Sequence, residues 1–110
     1  MQYLILFRES DGRKDNHSPE EIAAHRAHWQ QWMEPLVQQN KLEGGRPLSL
    51  EGKVIRGANQ PAADGPHTVG TEIVGGYLIL NAENMEEATA IMQGCPIYEF
   101  DGYVEIRPVM

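Results

Sequence analysis

A two-layer α+β sandwich is the fold class this sequence predicts, and three observations predict it. Short runs rich in Leu, Ile, Val and Tyr occur at both ends and in the second half of the chain. Two helix-start signatures, Ser18-Pro19-Glu20-Glu21 and Asn84-Met85-Glu86-Glu87, fall between such runs. The resulting order, β-α-β-β-β-α-β, contains no repeat, linker or low-complexity tract, so residues 1–110 read as a single domain. Two strand groups separated by crossover helices fit a ferredoxin-like sandwich, in which the helices cover one face of the sheet.

Tyr3-Leu4-Ile5-Leu6-Phe7 is an apolar run ending at Arg8-Glu9-Ser10-Asp11-Gly12, the pattern of a strand entering a polar loop. Ser18 then supplies an N-cap, Pro19 the first helical position, and Glu21 the return arm of a capping box. Ile22, Trp29, Met33, Leu36 and Val37 fall on one helical stripe, with His25 and Trp32 at its edge. Pro35 lacks a donor and is expected to bend the helix rather than end it, with the stop near Asn40. Residues 42–50 and 52–56 read as two strands around a turn at Glu51-Gly52, and Gly44-Gly45 suggests a bulge or a close backbone approach. Residues 57–71 form a polar stretch without periodicity that carries Asp64, and loops of that length in a compact domain are uncommon unless functional or mobile. Val74 to Leu80 makes the next strand, Ala88, Ile91 and Met92 give the second helix its apolar face, and Tyr103 to Arg107 closes the chain as a strand.

Tyr3 to Phe7 and Tyr77 to Leu80 are apolar at odd and even positions alike. In a sheet covered on one face, that leaves large side chains toward water. A second copy packed sheet to sheet covers them, so a homodimer is expected. The net charge of −7 and the absence of clustered Lys or Arg argue against a nucleic-acid partner, since binding a phosphate backbone needs a basic face. No apolar run approaches the ~20 residues of a membrane span, and the start lacks the basic region of a signal peptide; the expected location is cytoplasmic, with no membrane partner. The single Cys95 reads as a structural thiol.

The whole chain resembles the YCII-related proteins, particularly their DGPF-type branch. The resemblance rests on Tyr3 to Phe7, Ser18-Pro19-Glu20-Glu21, Trp29, Trp32-Met33, Lys41-Leu42 with Gly44-Gly45, Asp64-Gly65-Pro66, Glu72 with Gly75-Gly76-Tyr77, Gly94-Cys95-Pro96, and Val104-Glu105-Ile106-Arg107-Pro108. It implies a ferredoxin-like domain assembled as a dimeric α+β barrel, and a His-Asp pair as active site. Some relatives in the wider group are lyases or isomerases of small ring compounds; related domains also occur beside extracytoplasmic-function sigma factors. This chain departs from the pattern where the phenylalanine after Asp-Gly-Pro is His67, and where Val69 and Thr71 replace the usual acidic and basic residues while Glu72 stays.

Asp64, on a Gly-Pro turn just before an apolar strand, is the best lead to a site, because such a loop can lean over a pocket. A histidine is a natural general base at neutral pH, and a carboxylate accepting from its other nitrogen fixes the tautomer. His25 and His28 are the helix candidates for that base, Asp64 the orienting group, and His67 a titratable ring at the pocket mouth. Each has a plainer reading: Asp64 as a loop residue holding its own backbone, the histidines as boundary residues satisfied by water or a neighbour. Arg8 and Arg107 can hold a substrate carboxylate or pair with Glu9 and Glu105; Trp32 and Tyr77 are candidates for contacting a small-molecule ligand. His25 and His28 have metal-compatible spacing but no third ligand, so no metal is expected. With no nucleophile motif, phosphate loop or nucleotide fingerprint, cofactor-free proton transfer of lyase or isomerase type is the reaction class that remains, beside a non-catalytic ligand-binding or regulatory module linked to a sigma factor, and a purely structural dimer.

Overall fold

The computed structural model describes residues 1–11 and 17–110. Gly12, in the polar loop expected after the first strand, lies outside the described residues. The elements are β1 (Gln2–Ser10), α1 (Pro19–Gln38), β2 (Leu42–Pro47), β3 (Gly52–Val54), β4 (Ala63–Gly65), β5 (Glu72–Asn81), α2 (Met85–Gln93), a 3₁₀ turn (Pro96–Phe100) and β6 (Tyr103–Pro108). Four strands form an antiparallel sheet in the order β2-β5-β1-β6, and β3 pairs with β4 in a separate two-stranded ribbon. This is the ferredoxin-like α+β arrangement that the sequence predicts.

α1 starts where its cap demands. Ser18 Oγ accepts from the Glu21 N–H at 3.1 Å, and the Glu21 carboxylate returns to the Ser18 N–H at 3.1 Å, so both halves of the capping box are made. The helix runs through Pro35 to Gln38, and Asn40 leaves it in the left-handed region at φ 57°, which asparagine tolerates. Val37, expected in the core, is 55% exposed, because the buried stripe narrows to His25 and Leu36 with Trp29, Trp32 and Met33 half-buried beside it. On the sheet, Tyr3, Ile5, Phe7, Leu78 and Leu80 are buried and meet Ala88 and Met92 of α2, then Cys95 and Ile97. Burial pushes the Cys95 thiol up to about 12, in keeping with an inert structural thiol.

Two expectations are corrected. Residues 42–50 and 52–56 do not form a hairpin with each other: β2 ends at Pro47 and pairs with β5, whereas β3 pairs with β4, a strand inside the stretch read as loop. Pro47 cannot donate to a continuing ladder, and three-residue strands carry too little alternation to announce themselves. The bulge expected at Gly44-Gly45 is present as a register shift between Leu42 and Gly44. Gly45 stands at φ 151°, where an added Cβ would meet the Tyr77 carbonyl at 2.5 Å. A second bulge, absent from the sequence reading, shifts β1 against β5 so that Phe7 faces Gly76 and Arg8 faces Val74, leaving Gly75 as the extra residue.

Register also assigns the faces. Phe7 pairs with Gly76 and Val104 on the helix side, while Leu6 pairs with Tyr77 and Glu105 on the side without helices. That open face carries Leu4, Leu6, Tyr77 and Ile79, all half-buried.

Candidate functional site

One end of the sheet opens into a cavity of about 340 Å³ beneath α1. Its wall is apolar where α1 contributes Ile22, Trp29 and Met33, β1 contributes Phe7, and the 3₁₀ turn contributes Ile97 and Phe100. Glycines 45, 75 and 76 line the sheet side; the ionisable members are Glu9, His25, Arg26 and Arg46. The helical spacing 22, 25, 26, 29, 33 is what brings the α1 residues to one side.

His25 is buried, 8% exposed, and both its ring nitrogens are occupied. Trp29 Nε1–H donates to His25 Nε2 at 2.9 Å. An indole N–H can only donate, so Nε2 is the acceptor and the imidazole proton sits on Nδ1. Nδ1 lies 2.8 Å from Glu99 Oε1 and donates to it. The second Glu99 oxygen takes Nδ1 of the exposed His28, also at 2.8 Å. The His25 hydrogen bond, with help from His28, holds the Glu99 carboxyl below its usual range despite some desolvation. Phe100 stacks on His25 at a centroid distance of 4.1 Å and is itself stacked on His17 at 3.8 Å, so the imidazole plane is fixed as well as its tautomer.

The residues singled out in the sequence scatter around this centre. His25 lines the cavity; His28 joins it only through Glu99. Asp64 stands on the β3–β4 ribbon, its side chain 90% exposed, and pairs with Lys53 Nζ at 2.5 Å across the strand register. Among the described residues its carboxylate therefore meets a lysine and not a histidine. His67 is exposed, lines no part of the cavity, and makes no hydrogen bond or ion pair among the described residues. Arg8 is taken by Glu105, with Nε at 3.0 Å and Nη2 at 2.9 Å, and lies on the open face; Arg107 also reaches Glu105, at 3.5 Å. Trp32 stands outside the cavity, edge-on to Trp29 at 5.7 Å. Tyr77 is among the residues lining the cavity, and its register with Leu6 sets it on the open-face side of the strand. Among the described residues no three His, Cys, Asp or Glu side chains cluster to hold a metal.

Two residues of the site were not among the candidates that the sequence offered. Glu99 belongs to a single 3₁₀ turn, which has no periodicity to reveal it, although Pro96 after Cys95 marks a helical start. Glu9 entered only as an ion-pair partner for Arg8; its signal was Gly75-Gly76 inside an apolar strand, the mark of a bulge.

Comparison with known proteins matches this architecture to a class and then to a family. Over 100% of this chain and 94% of the other, at 23% identity and a TM-score of 0.55, the fold is similar to that of 5-chloro-2-hydroxyhydroquinone dehydrochlorinase (TftG) from Burkholderia phenoliruptrix AC1100, solved in complex with 2,5-dihydroxybenzoquinone. No curated protein matches the sequence. The family model for the YCII-related domain matches residues 1–110, and the chain belongs to that family. No helix is long and apolar enough to cross a membrane.

Proposed function

We propose that this protein takes a small hydroxylated ring compound into the cavity beneath α1 and acts on it by cofactor-free proton transfer, as a lyase or isomerase, in the form of a homodimer. One observation carries the reading: a buried imidazole in an aromatic-walled cavity, its Nδ1 tied to an ionised carboxylate. A cavity of about 340 Å³ lies within the range of small-molecule sites, and few polar groups converge in it. The dehydrochlorinase of similar fold binds a dihydroxyquinone, a compound small enough for such a cavity. In this reading the carboxylate partner of the histidine is Glu99, and the Asp64–Lys53 ribbon belongs to assembly rather than to the cavity.

A second reading, a non-catalytic binding or regulatory module, such as one serving a sigma factor, is favoured by one feature. Both nitrogens of His25 are already committed, so as arranged it presents no lone pair to a ligand. Both readings place the ligand in the same cavity. Calorimetric titration with 2,5-dihydroxybenzoquinone tests that placement. The wild type is expected to bind it, and Met33→Trp, which fills the cavity from α1, is expected to weaken binding at least tenfold. Equal affinity in the two proteins would remove the cavity from consideration.

A further inference from the structure

The bulge on β5 has a chemical consequence. Gly75 is the extra residue, and a Cβ built on it would stand 2.6 Å from Glu9 Cδ and 2.9 Å from Glu9 Oε1. The Glu9 carboxyl group therefore lies over Gly75, where a Cβ would force the end of the Glu9 side chain to shift. Glu9 pairs with Ile73, which is 4% exposed, and follows Phe7 by two residues, so it stands on the helix side of the sheet; both Glu9 and Gly75 line the cavity. Bulges of this kind bend a strand and re-aim a side chain beside a site. Glu9 makes an interaction of its own, and a carboxylate, with about four lone-pair positions, can accept a proton while it keeps a partner. His25, by contrast, has its Nε2 lone pair in the Trp29 hydrogen bond and its Nδ1 proton in the Glu99 bond.

We propose that Glu9 is the proton-transfer group of this cavity, seated on Gly75, and that His25 is a positioning residue. The proposal rests on the cavity reading above and assigns its chemistry to a different residue. A carboxylate oxygen of Glu9 takes a proton from a ring carbon beside a carbonyl. The C–H electron pair moves into the ring, the carbonyl π pair moves onto oxygen, and an enolate results. Arg26 lines the same cavity and has no hydrogen-bond or ion-pair partner among the described residues, which leaves its guanidinium to meet the enolate oxygen. The proton on Glu9 then returns to the same or another ring carbon, so nothing else is consumed.

The experiment uses cyclohexane-1,2-dione in deuterium oxide, with loss of the ring C–H signals beside the carbonyls followed by proton NMR. The wild type is expected to speed exchange above the buffer rate. Glu9→Gln should lower the enzymic rate by about 10²-fold or more, the usual worth of a positioned acid–base group, while still binding 2,5-dihydroxybenzoquinone within a few-fold of wild type. Glu9→Asp, which keeps a shorter carboxylate, should fall between. Gly75→Ala keeps Glu9 but crowds its seat, and should lose exchange as Glu9→Gln does. Exchange at the wild-type rate in Glu9→Gln, or loss confined to His25→Gln, would overturn the assignment and return the role to the imidazole. A wild type that binds the quinone but does not speed exchange would also overturn it. A wild type that binds no quinone would sink the cavity reading itself, a separate failure.

Discussion

At His25 two hydrogen bonds decide the chemistry: the Trp29 N–H donates to the Nε2 lone pair, and Glu99 accepts from the Nδ1–H. Glu99 in turn makes folding sensitive to acid. Its carboxyl is held below the ordinary value of 4.5, first by the His25 hydrogen bond. A group whose folded pKa lies below its unfolded one contributes stability that is present above the unfolded value and is lost as pH falls through the folded value. Glu99→Gln is therefore expected to flatten the acid limb of the stability curve below pH 4.5, with urea midpoints at a series of pH values as the measurement. Parallel curves for the two proteins would mean that the Glu99 contact is not kept in solution. The sequence made part of this site legible. Helical period places His25 and Trp29 toward the sheet, because a 3.6-residue repeat is a strict constraint on facing. It does not reveal which carboxylate meets the ring, since that is decided by how distant segments pack. Asp64 sits in a suggestive motif and goes to Lys53; Glu99 sits in an unremarked turn and goes to the histidines.

Among the elements, α1 was the most readable, because its start is encoded in four adjacent residues. Ser18→Ala removes the oxygen that accepts from the Glu21 N–H, and is expected to lower stability by about 1 kcal/mol with the fold retained. A urea midpoint equal to that of the wild type would mean that the cap contributes nothing. β1, β5 and β6 were legible for a different reason: each is a run of apolar residues long enough to stand out from its polar neighbours. Their true ends extend beyond the apolar runs, to Ser10 and Glu72, because strand pairing continues into polar sequence once the ladder is aligned. β3 and β4 were hidden by their length. Their three ladder pairs join Gly52 to Gly65, Lys53 to Asp64 and Val54 to Ala63, a set with no alternation of apolar and polar residues.

As a whole, the molecule exposes more surface than its mass warrants. A compact monomer of 12.4 kDa exposes roughly 6,100 Å², and this chain exposes 7506 Å². The excess is about 1,400 Å², larger than the ~800 Å² that each partner contributes to a standard interface. Leu48, Leu50, Ile55 and Val69, on and beside the β3–β4 ribbon, are each 47% exposed or more. A two-stranded ribbon is marginally stable in water without such a surface to rest on. Sedimentation at low micromolar concentration is expected to give twice the mass of the 12.4 kDa chain, and Leu50→Asp with Ile55→Asp to shift it toward the monomer. A folded wild-type monomer at that concentration would contradict the homodimer. The claim on which the functional account stands is that the cavity beneath α1 receives the ligand, and ¹H–¹⁵N NMR during titration with 2,5-dihydroxybenzoquinone tests it most directly. Saturable shifts are expected at the Phe7, Gly75 and Gly76 amides, the Trp29 indole and the His25 ring. Shifts confined to Lys53, Asp64 and their ribbon, or no shifts at all, would contradict it.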